Sequence, residues 1–167
     1  VVYAKNGKSP VKLAGYHALN SLRMEKGYLH WGHDIGVEEN PFEAGVGFCV
    51  NLNKKNPFLG QAALEEKKKS GLSKRKVNFA LSNNDLLIYH NEPIYFDGKI
   101  VGEISSGMYG FYLDKSLGMG YISNNDSYSI EEMMSHQKFE IEVAETKYSA
   151  EGSINCFYDP GREKILV

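Results

Sequence analysis

The hydrophobic pattern of this chain changes its period near residue 72, and this change constrains the fold more than any other feature. Before residue 72, apolar residues recur with helical spacing, and extended stretches separate the helical ones. After it, Val77, Phe79 and Leu81 alternate with polar or small residues, which is the pattern of a half-buried strand. We therefore predict an α+β fold made of two regions, residues 1–72 and residues 73–167.

The second region is predicted to form a small antiparallel barrel or sandwich. Asp97 and Gly98 separate two apolar runs, at 94–96 and 99–102. Asp-Gly in such a place is a strong hairpin signal, because both turn residues need a positive φ. Residues 139–143 show the same alternation before another turn. Many short strands with frequent turns are typical of small closed or two-layered β folds.

The first region is predicted to contain two helices. One covers about residues 13–26 and ends at Gly27, a residue type that favours the left-handed conformation after a helix. The other opens at Pro57, with Asn56 as its N-cap, and stops at Gly71. The predicted helices leave the connecting stretches to turns and short extended segments.

Four short segments or residue types allow further predictions. Residues 45–50 predict a buried strand, and the lysine run at 67–69 predicts a solvated helix end. Cys49 and Cys156 are expected to be free thiols that face the core. The first three residues resemble the middle of a strand, so we expect the chain to be a piece of a longer protein.

Composition excludes some classes of function. The 167 residues are 42% hydrophobic and carry a net charge of −2, which gives no electrostatic reason to expect a nucleic-acid or membrane-surface binder. No apolar run approaches the roughly 20 residues of a transmembrane helix, and no signal peptide is visible. The chain has no CxxC motif and no Cys/His cluster, so we expect no metal site.

The common catalytic motifs are also missing. There is no G-x-S-x-G, no H-E-x-x-H and no Walker loop. The glycine pairs at 45–47 and 118–120 lack a third glycine and do not open a helix, so neither is a dinucleotide fingerprint. His30 and His33 lie in an apparently extended stretch and should point to opposite faces, which disfavours joint metal binding.

Glu25 is the most informative candidate residue. It lies in the last turn of the first helix, where a carboxylate faces the negative end of the helix dipole. It is either a surface acid or a carboxylate facing a cavity, where it could accept two hydrogen bonds from the N–C–N edge of a pterin-like ring. Arg23, two residues away, should face another direction, and Trp31 either belongs to the core or stacks on a flat ligand. Ser105 and Ser106 are read as part of a glycine-flanked turn.

These segments together resemble the aminomethyltransferase (glycine cleavage T-protein) family. Each motif alone has modest specificity, but the order and spacing of the motifs are specific. Their residues are most similar to those of the flavin-dependent dimethylglycine and sarcosine dehydrogenases. The matching segments lie at residues 21–27, 31–35, 41–45, 89–94, 97–102, 105–110, 117–122 and 158–160.

The resemblance implies both a fold and a function. Residues 1–72 would be the C-terminal part of the folate-binding α/β domain, and residues 73–167 a jelly-roll-like C-terminal β-barrel. Family members bind tetrahydrofolate and pass it a one-carbon unit, giving 5,10-methylenetetrahydrofolate. In the dehydrogenase branch, FAD in an N-terminal domain first oxidises a methylated glycine derivative. Cytoplasm, or the mitochondrial matrix in a eukaryote, is the expected compartment.

The resemblance also assigns residues. Glu25 matches the family glutamate that holds the pterin edge, and Arg23 and Trp31 accompany it as predicted folate contacts. Lys54 stands near the place of an arginine that helps the folate in the T-protein branch. The catalytic aspartate of the family lies upstream, so we expect no catalytic residue and no turnover in this chain alone.

Three functions remain open from the sequence. The first is the C-terminal part of an oxidative demethylase of sarcosine or dimethylglycine. The second is part of a stand-alone glycine cleavage T-protein, and the third is a non-enzymatic folate-binding or assembly module. Because residues 1–72 would expose an apolar face, we also expect a homo-oligomer or a partly disordered N-terminal region.

Overall fold

A computed structural model describes residues 14–83, 85–164 and 166 of the chain. Two helices precede the β-sheet region and a third is inserted between its strands. The helices are α1 (Tyr16–Lys26), α2 (Gln61–Ser70) and α3 (Ile130–His136). No helix among these residues is long and apolar enough to cross a membrane.

Six antiparallel strands form a closed barrel in the order β1-β4-β3-β2-β5-β6. This confirms the predicted α+β fold with a small antiparallel barrel. Closure leaves no free sheet edge between β1 and β6, which pair with each other. The strands are β1 (Lys74–Leu81), β2 (Pro93–Phe96), β3 (Lys99–Gly110), β4 (Lys115–Ser123), β5 (Phe139–Val143) and β6 (Thr146–Ser153).

The predicted hairpin between β2 and β3 is confirmed. Asp97 and Gly98 have φ values of 49° and 80°, as a tight hairpin turn requires. The β5–β6 hairpin uses the same device at Ala144 and Glu145, with φ values of 49° and 64°. Local turn chemistry therefore sets the pairing of four of the six strands.

Aliphatic side chains and three phenylalanine rings fill the described interior of the barrel. The Phe139 ring meets Phe79 and Phe96 edge-on, with ring centroids 5.4 and 5.1 Å apart respectively. The short helix α3 covers the same core with Ile130 and Met133, and a capping box at its start holds it in place. The described side chains inside the barrel thus form a packed hydrophobic core.

Strand β1 is covered on both of its faces. Val77, Phe79 and Leu81 point into the barrel, as the alternation predicts. Ala80 on the outer face is also buried, because it packs in a second cluster with Met24 of α1. The other members of this cluster are Leu117 and Met119 of β4, with partly buried Leu29, Met108, Leu113 and Phe157 around them. Helix α1 therefore lies against the outside of the barrel.

The helix ends correct part of the sequence prediction. Helix α1 begins at Tyr16, after Gly15, and the predicted start at residue 13 lies outside the described residues. Helix α2 begins at Gln61, after a left-handed Gly60, so it does not open at Pro57 and Asn56 is not its N-cap. The predicted ends are confirmed: α1 is followed by a left-handed Gly27, α2 by Gly71, and the lysines of α2 lie in its exposed last turn.

The predicted buried strand at 45–50 is wrong. Hydrogen bonds from Val46 N to Pro41 O and from Cys49 N to Val46 O fold this segment into turns and a 3-10 helix. Phe48 is consequently 78% exposed. Cys49 is exposed and Cys156 only partly buried, so neither free thiol faces the core as predicted. The strand-like residues 1–3 lie outside the described part of the chain.

Candidate functional site

Arg23 and Glu25 leave the end of α1 in different directions, as predicted from their spacing. The guanidinium of Arg23 donates hydrogen bonds to Asn20 Oδ1 at 2.6 Å and to Asp34 Oδ2 at 2.7 Å. A third bond, 3.0 Å long, runs from Arg23 to Ser106 Oγ on β3. Arg23 therefore joins the helix, the following loop and the barrel.

Asp34 is the buried partner of this arginine, and it was not singled out in the sequence. Its side chain is fully covered, and besides Arg23 it accepts hydrogen bonds from Ser105 Oγ at 2.7 Å and from His30 N at 2.8 Å. Tyr121 donates from its hydroxyl to the Asp34 carbonyl oxygen. Burial and nearby carboxylates raise the pKa of Tyr121, which keeps this hydroxyl a donor.

A β-bulge places two successive serines at this cluster. The β3–β4 register shifts between Ile104 and Ser106, which leaves Ser105 without a partner in the ladder. Because of the extra residue, Ser105 and Ser106 both reach the Arg23–Asp34 pair, although neighbours in a regular strand point to opposite faces. The prediction of a turn at these serines is wrong, since both lie inside β3.

Glu25 is buried, so it is not a surface acid. It is 3% exposed, and its Oε1 accepts hydrogen bonds from the backbone N–H groups of Tyr112 and Leu113, at 2.7 and 3.2 Å. Gly110 leaves the space for it, because a Cβ atom there would lie 3.0 Å from Glu25 Cγ. Among the described residues, none donates a hydrogen bond to Oε2 of Glu25.

Glu25 lines an open cavity of about 430 Å³, here called the Glu25 cavity. Its walls are mainly apolar and aromatic, and the rings of Tyr112 and Tyr158 meet edge-on at 4.9 Å. A carboxylate in a mostly apolar hollow of this size is typical of a small-molecule site. The lining residues are Leu19, Leu22, Arg23, Glu25, Lys26, Tyr28, Tyr112 and Tyr158.

The other predicted ligand contacts lie elsewhere. Trp31 is 68% exposed, so its reading as a core residue is wrong, and it does not line the Glu25 cavity. Lys54 is exposed, with its Nζ 5.8 Å from the centre of the Phe58 ring. Their roles as folate contacts stay predictions. Tyr112 and Tyr158 of the cavity, in contrast, were missed because they lie far from Glu25 in sequence.

The two histidines do not point to opposite faces. The rings of His30 and His33 stack with centroids 4.9 Å apart. The segment forms a turn, closed by the bond from Asp34 N to His30 O, and the strand geometry assumed for the prediction does not apply. No group of three or more His, Cys, Asp or Glu that could hold a metal ion occurs in the described part of the chain.

A second cavity, of about 510 Å³, is lined in part by residues 26–29 at the end of α1 and is here called the Lys76 cavity. Lys76 of β1 is only 7% exposed and donates to Asn78 Oδ1 at 2.9 Å. Burial lowers the pKa of Lys76 to about 8, although the nearby Asp34 carboxylate acts in the opposite direction. Nothing in the sequence pattern singled out this lysine.

Replacing Lys76 by methionine is expected to stabilise the protein by about 2 kcal/mol near neutral pH. The lowered pKa corresponds to roughly 3 kcal/mol against the buried charge, part of which the lost Asn78 hydrogen bond offsets. The folded pKa is below the unfolded one, so the unfolded chain holds more protons between about pH 8 and 10.5. The free energy of unfolding of the unchanged protein therefore rises with pH through that window.

Urea denaturation of both proteins, near pH 7 and near pH 10, measures this effect. The advantage of Lys76→Met should shrink by roughly 2 kcal/mol at the higher pH. Lys67→Met, in the exposed last turn of α2, is the matched control and should show no such change. An advantage that stays the same at both pH values would contradict the buried-charge explanation.

Comparison with known proteins identifies the family of this fold and site. Residues 74–159 match the model of the glycine cleavage T-protein C-terminal barrel domain, and residues 2–54 match that of the GCVT N-terminal domain. The chain belongs to the glycine cleavage T-protein family. The first match covers the barrel, and the second includes α1 with Arg23 and Glu25.

Individual relatives of this T-protein family chain are much longer than it. The chain is 37% identical over 155 residues, 93% of its length, to 4-methylaminobutanoate oxidase (formaldehyde-forming) of Paenarthrobacter nicotinovorans. It is 31% identical over 165 residues, 98% of its length, to human mitochondrial sarcosine dehydrogenase. In each case it spans 18% of the relative.

A solved structure shows the same fold as this T-protein family chain. The aminomethyltransferase T of the Bartonella henselae glycine cleavage system superposes with a TM-score of 0.67 and 24% sequence identity. The similarity covers 81% of this chain and 36% of that protein. At this identity the likeness establishes the fold alone.

Proposed function

We propose that this chain forms part of the tetrahydrofolate-binding region of a folate-dependent one-carbon enzyme. In the finer form of the proposal, the parent enzyme oxidatively demethylates an N-methylated amino acid such as sarcosine or dimethylglycine. The resulting one-carbon unit would leave as 5,10-methylenetetrahydrofolate. The two relatives support this form, because each is named for the oxidation of an N-methylated amino acid.

The Glu25 cavity carries the proposal. The tyrosines in its wall offer aromatic surface for a flat heterocycle, and the buried carboxylate of Glu25 retains acceptor capacity because its described bonds all go to Oε1. The two backbone N–H groups of Tyr112 and Leu113 fix the orientation of that carboxylate. A ring N–H and an exocyclic amine, side by side on a pterin, are the donors that such an anion binds strongly.

The two described glycine pairs do not fit the pyrophosphate of a flavin. The glycines at 118–120 lie inside β4, and those at 45–47 belong to a turn that leads into a 3-10 helix. Neither opens an α-helix whose N-terminus could take a pyrophosphate. In the proposal, FAD and the catalytic aspartate therefore belong to other parts of the parent enzyme, and the chain alone binds folate without turning it over.

Replacing Glu25 by glutamine tests the proposal directly. The amide keeps the shape but loses the negative charge, and hydrogen bonds to charged groups contribute about 1.5–3 kcal/mol. We therefore expect 5-formyltetrahydrofolate, a stable reduced folate, to bind the chain roughly 10–100 times more weakly after the change. Isothermal titration calorimetry measures the affinity, and Glu66→Gln on the exposed face of α2 serves as the matched control.

Three results would contradict the proposal. The first is equal folate affinity in Glu25→Gln and the unchanged chain, and the second is no folate binding by either. The third is accumulation of methylene-folate when the chain alone is mixed with sarcosine, flavin and tetrahydrofolate. In the parent protein, bound flavin separates the dehydrogenase from a stand-alone T-protein, and an unchanged rate in Glu25→Gln would favour the non-enzymatic module.

Self-association and cellular compartment stay proposals. The described residues before the barrel expose a set of large apolar side chains, which gives the predicted homo-oligomer a physical basis. The exposed residues are Tyr16, Leu19, Leu22, Tyr28, Trp31, Val37, Phe48 and Leu59. A bacterial cytoplasm or a mitochondrial matrix remains the expected compartment.

A further inference from the structure

We propose that the Lys76 cavity is a second binding site, which takes the carboxylate of a small organic acid through the buried ammonium group of Lys76. This site is separate from the Glu25 cavity and does not depend on the folate proposal. The two cavities share only Lys26 and Tyr28 of their lining residues.

Within residues 14–83, 85–164 and 166, no carboxylate accepts a hydrogen bond from the ammonium group of Lys76. Its ammonium group has three N–H donors, and its described bonds go to Asn78 Oδ1 and, weakly at 3.9 Å, to Met119 Sδ. Lysines are almost never fully buried unless they are paired. An ammonium group that is buried beside a cavity and lacks a paired carboxylate is consistent with an anion arriving from outside.

The neighbouring acids are already occupied. Asp34 accepts bonds from Arg23, Ser105 and the His30 backbone. The backbone carbonyl of Glu43 accepts a hydrogen bond from the backbone N–H of Lys76. The Glu43 carboxylate accepts the backbone N–H of Asn40. Neither carboxylate forms a hydrogen bond with Lys76 in the described part of the chain.

The positive charge of the cavity lining also favours an anionic ligand. Lys26, Lys76 and Arg162 contribute three cations, and the described lining residues include no aspartate or glutamate. Lys26 is already paired with Asp159 at 3.0 Å. No described aspartate or glutamate forms a salt bridge with Lys76 or Arg162, so both can attract an anion. The Arg162 guanidinium carbon lies 5.8 Å from the centre of the Phe48 ring.

The walls indicate an organic acid as the ligand. Leu29, Val46 and Phe48 supply apolar surface, and Cys156 adds a thiol whose Sγ donates to Tyr158 O. A cavity of about 510 Å³ exceeds the space that a small inorganic ion fills. A carboxylate attached to an apolar body would pair with Lys76 and cover these walls at the same time.

Proton uptake gives the site a distinctive signature. Asp34 and Cys156 favour the charged form of Lys76, while Arg75 opposes it, and Lys26, Tyr28 and Arg162 are the other titratable groups around the cavity. A bound carboxylate would favour the ammonium form further, so binding near pH 8 should take up protons. Affinity should fall more than tenfold between about pH 7 and pH 9.5, because neutral Lys76 cannot pair with the anion.

The experiment is a titration of the chain with benzoate, followed by NMR and by calorimetry in buffers of different ionisation enthalpy. We expect saturable binding with proton uptake, more than tenfold weaker in Lys76→Met and unchanged in Lys67→Met. Benzamide, which has the same shape without the charge, should bind more than tenfold more weakly than benzoate. Glu25→Gln should leave benzoate binding unchanged, which separates this site from the folate proposal.

Three outcomes would overturn the inference. The first is the absence of saturable benzoate binding to the unchanged chain, and the second is equal binding by Lys76→Met. The third is inorganic phosphate binding as tightly as benzoate, which would reduce the cavity to a non-selective attraction for anions. Circular dichroism of Lys76→Met confirms that a loss of binding does not come from unfolding.

Discussion

Replacing Asp34 by alanine is expected to lower the free energy of unfolding by about 3–5 kcal/mol. The carboxylate is fully covered and lies 2.7 Å from Arg23, whose side chain is only 15% exposed. Removing it leaves a nearly buried guanidinium without its counter-charge, and leaves Ser105 Oγ and His30 N without one of their acceptors. The loss is large because the remaining charge cannot return to water.

Urea denaturation at neutral pH measures the effect, and an exposed ion pair provides the control. Lys115 and Glu151 lie 3.9 Å apart with side chains 44% and 61% exposed, so we expect Glu151→Ala to cost less than about 1 kcal/mol. Replacing Arg23 by methionine and Asp34 by leucine together should recover part of the loss. A cost for Asp34→Ala no larger than that for Glu151→Ala would contradict the role of Asp34 as the buried partner of Arg23.

Replacing Phe139 by alanine is expected to cost about 3–5 kcal/mol through the cavity it leaves in the barrel. The ring is 2% exposed and contacts Phe79 and Phe96 edge-on. Gly152 of β6 is fitted to this ring, since a Cβ there would lie 2.9 Å from Phe139 Cε2. The strands around it are hydrogen-bonded into a closed barrel and have little freedom to collapse into the space.

Thermal and urea denaturation of Phe139→Ala should show the loss with an unchanged far-UV spectrum. Phe111→Ala is the matched control, because that ring is 72% exposed at the β3–β4 turn. We expect the control to change stability by no more than about 0.5–1 kcal/mol. Similar costs for the two substitutions would mean that the barrel repacks around a missing ring, contrary to this account.

The barrel could be predicted because short segments of the sequence determine its turns and the buried faces of its strands. Asp97 and Gly98 fix one hairpin by their backbone preferences, and the alternation of Val77, Phe79 and Leu81 states which face of β1 is buried. The sequence predictions fail where contacts between residues far apart in the sequence determine the local structure. The segment at 45–50 has the composition of a strand, but no strand among the described residues pairs with it, and it folds into turns and a 3-10 helix.

The site was predictable only in part, for the same reason. Glu25 could be found from its unfavourable place at a helix end, but its amide donors and the Tyr158 wall come from distant parts of the chain. The bulge that aligns Ser105 with Asp34 depends on the register between β3 and β4. No pattern within a single segment reports such a register, and the acid that holds the cluster together was therefore overlooked.

The double covering of β1 has a consequence for protein engineering. A recombinant barrel cut out at residues 73–167 would lose α1, and with it the cover over Ala80, Leu117 and Met119. The excised barrel would expose an apolar stripe on its outer surface. That surface would need redesign before the barrel could serve as a scaffold that does not aggregate. A useful deletion series should therefore retain α1 and trim other segments first.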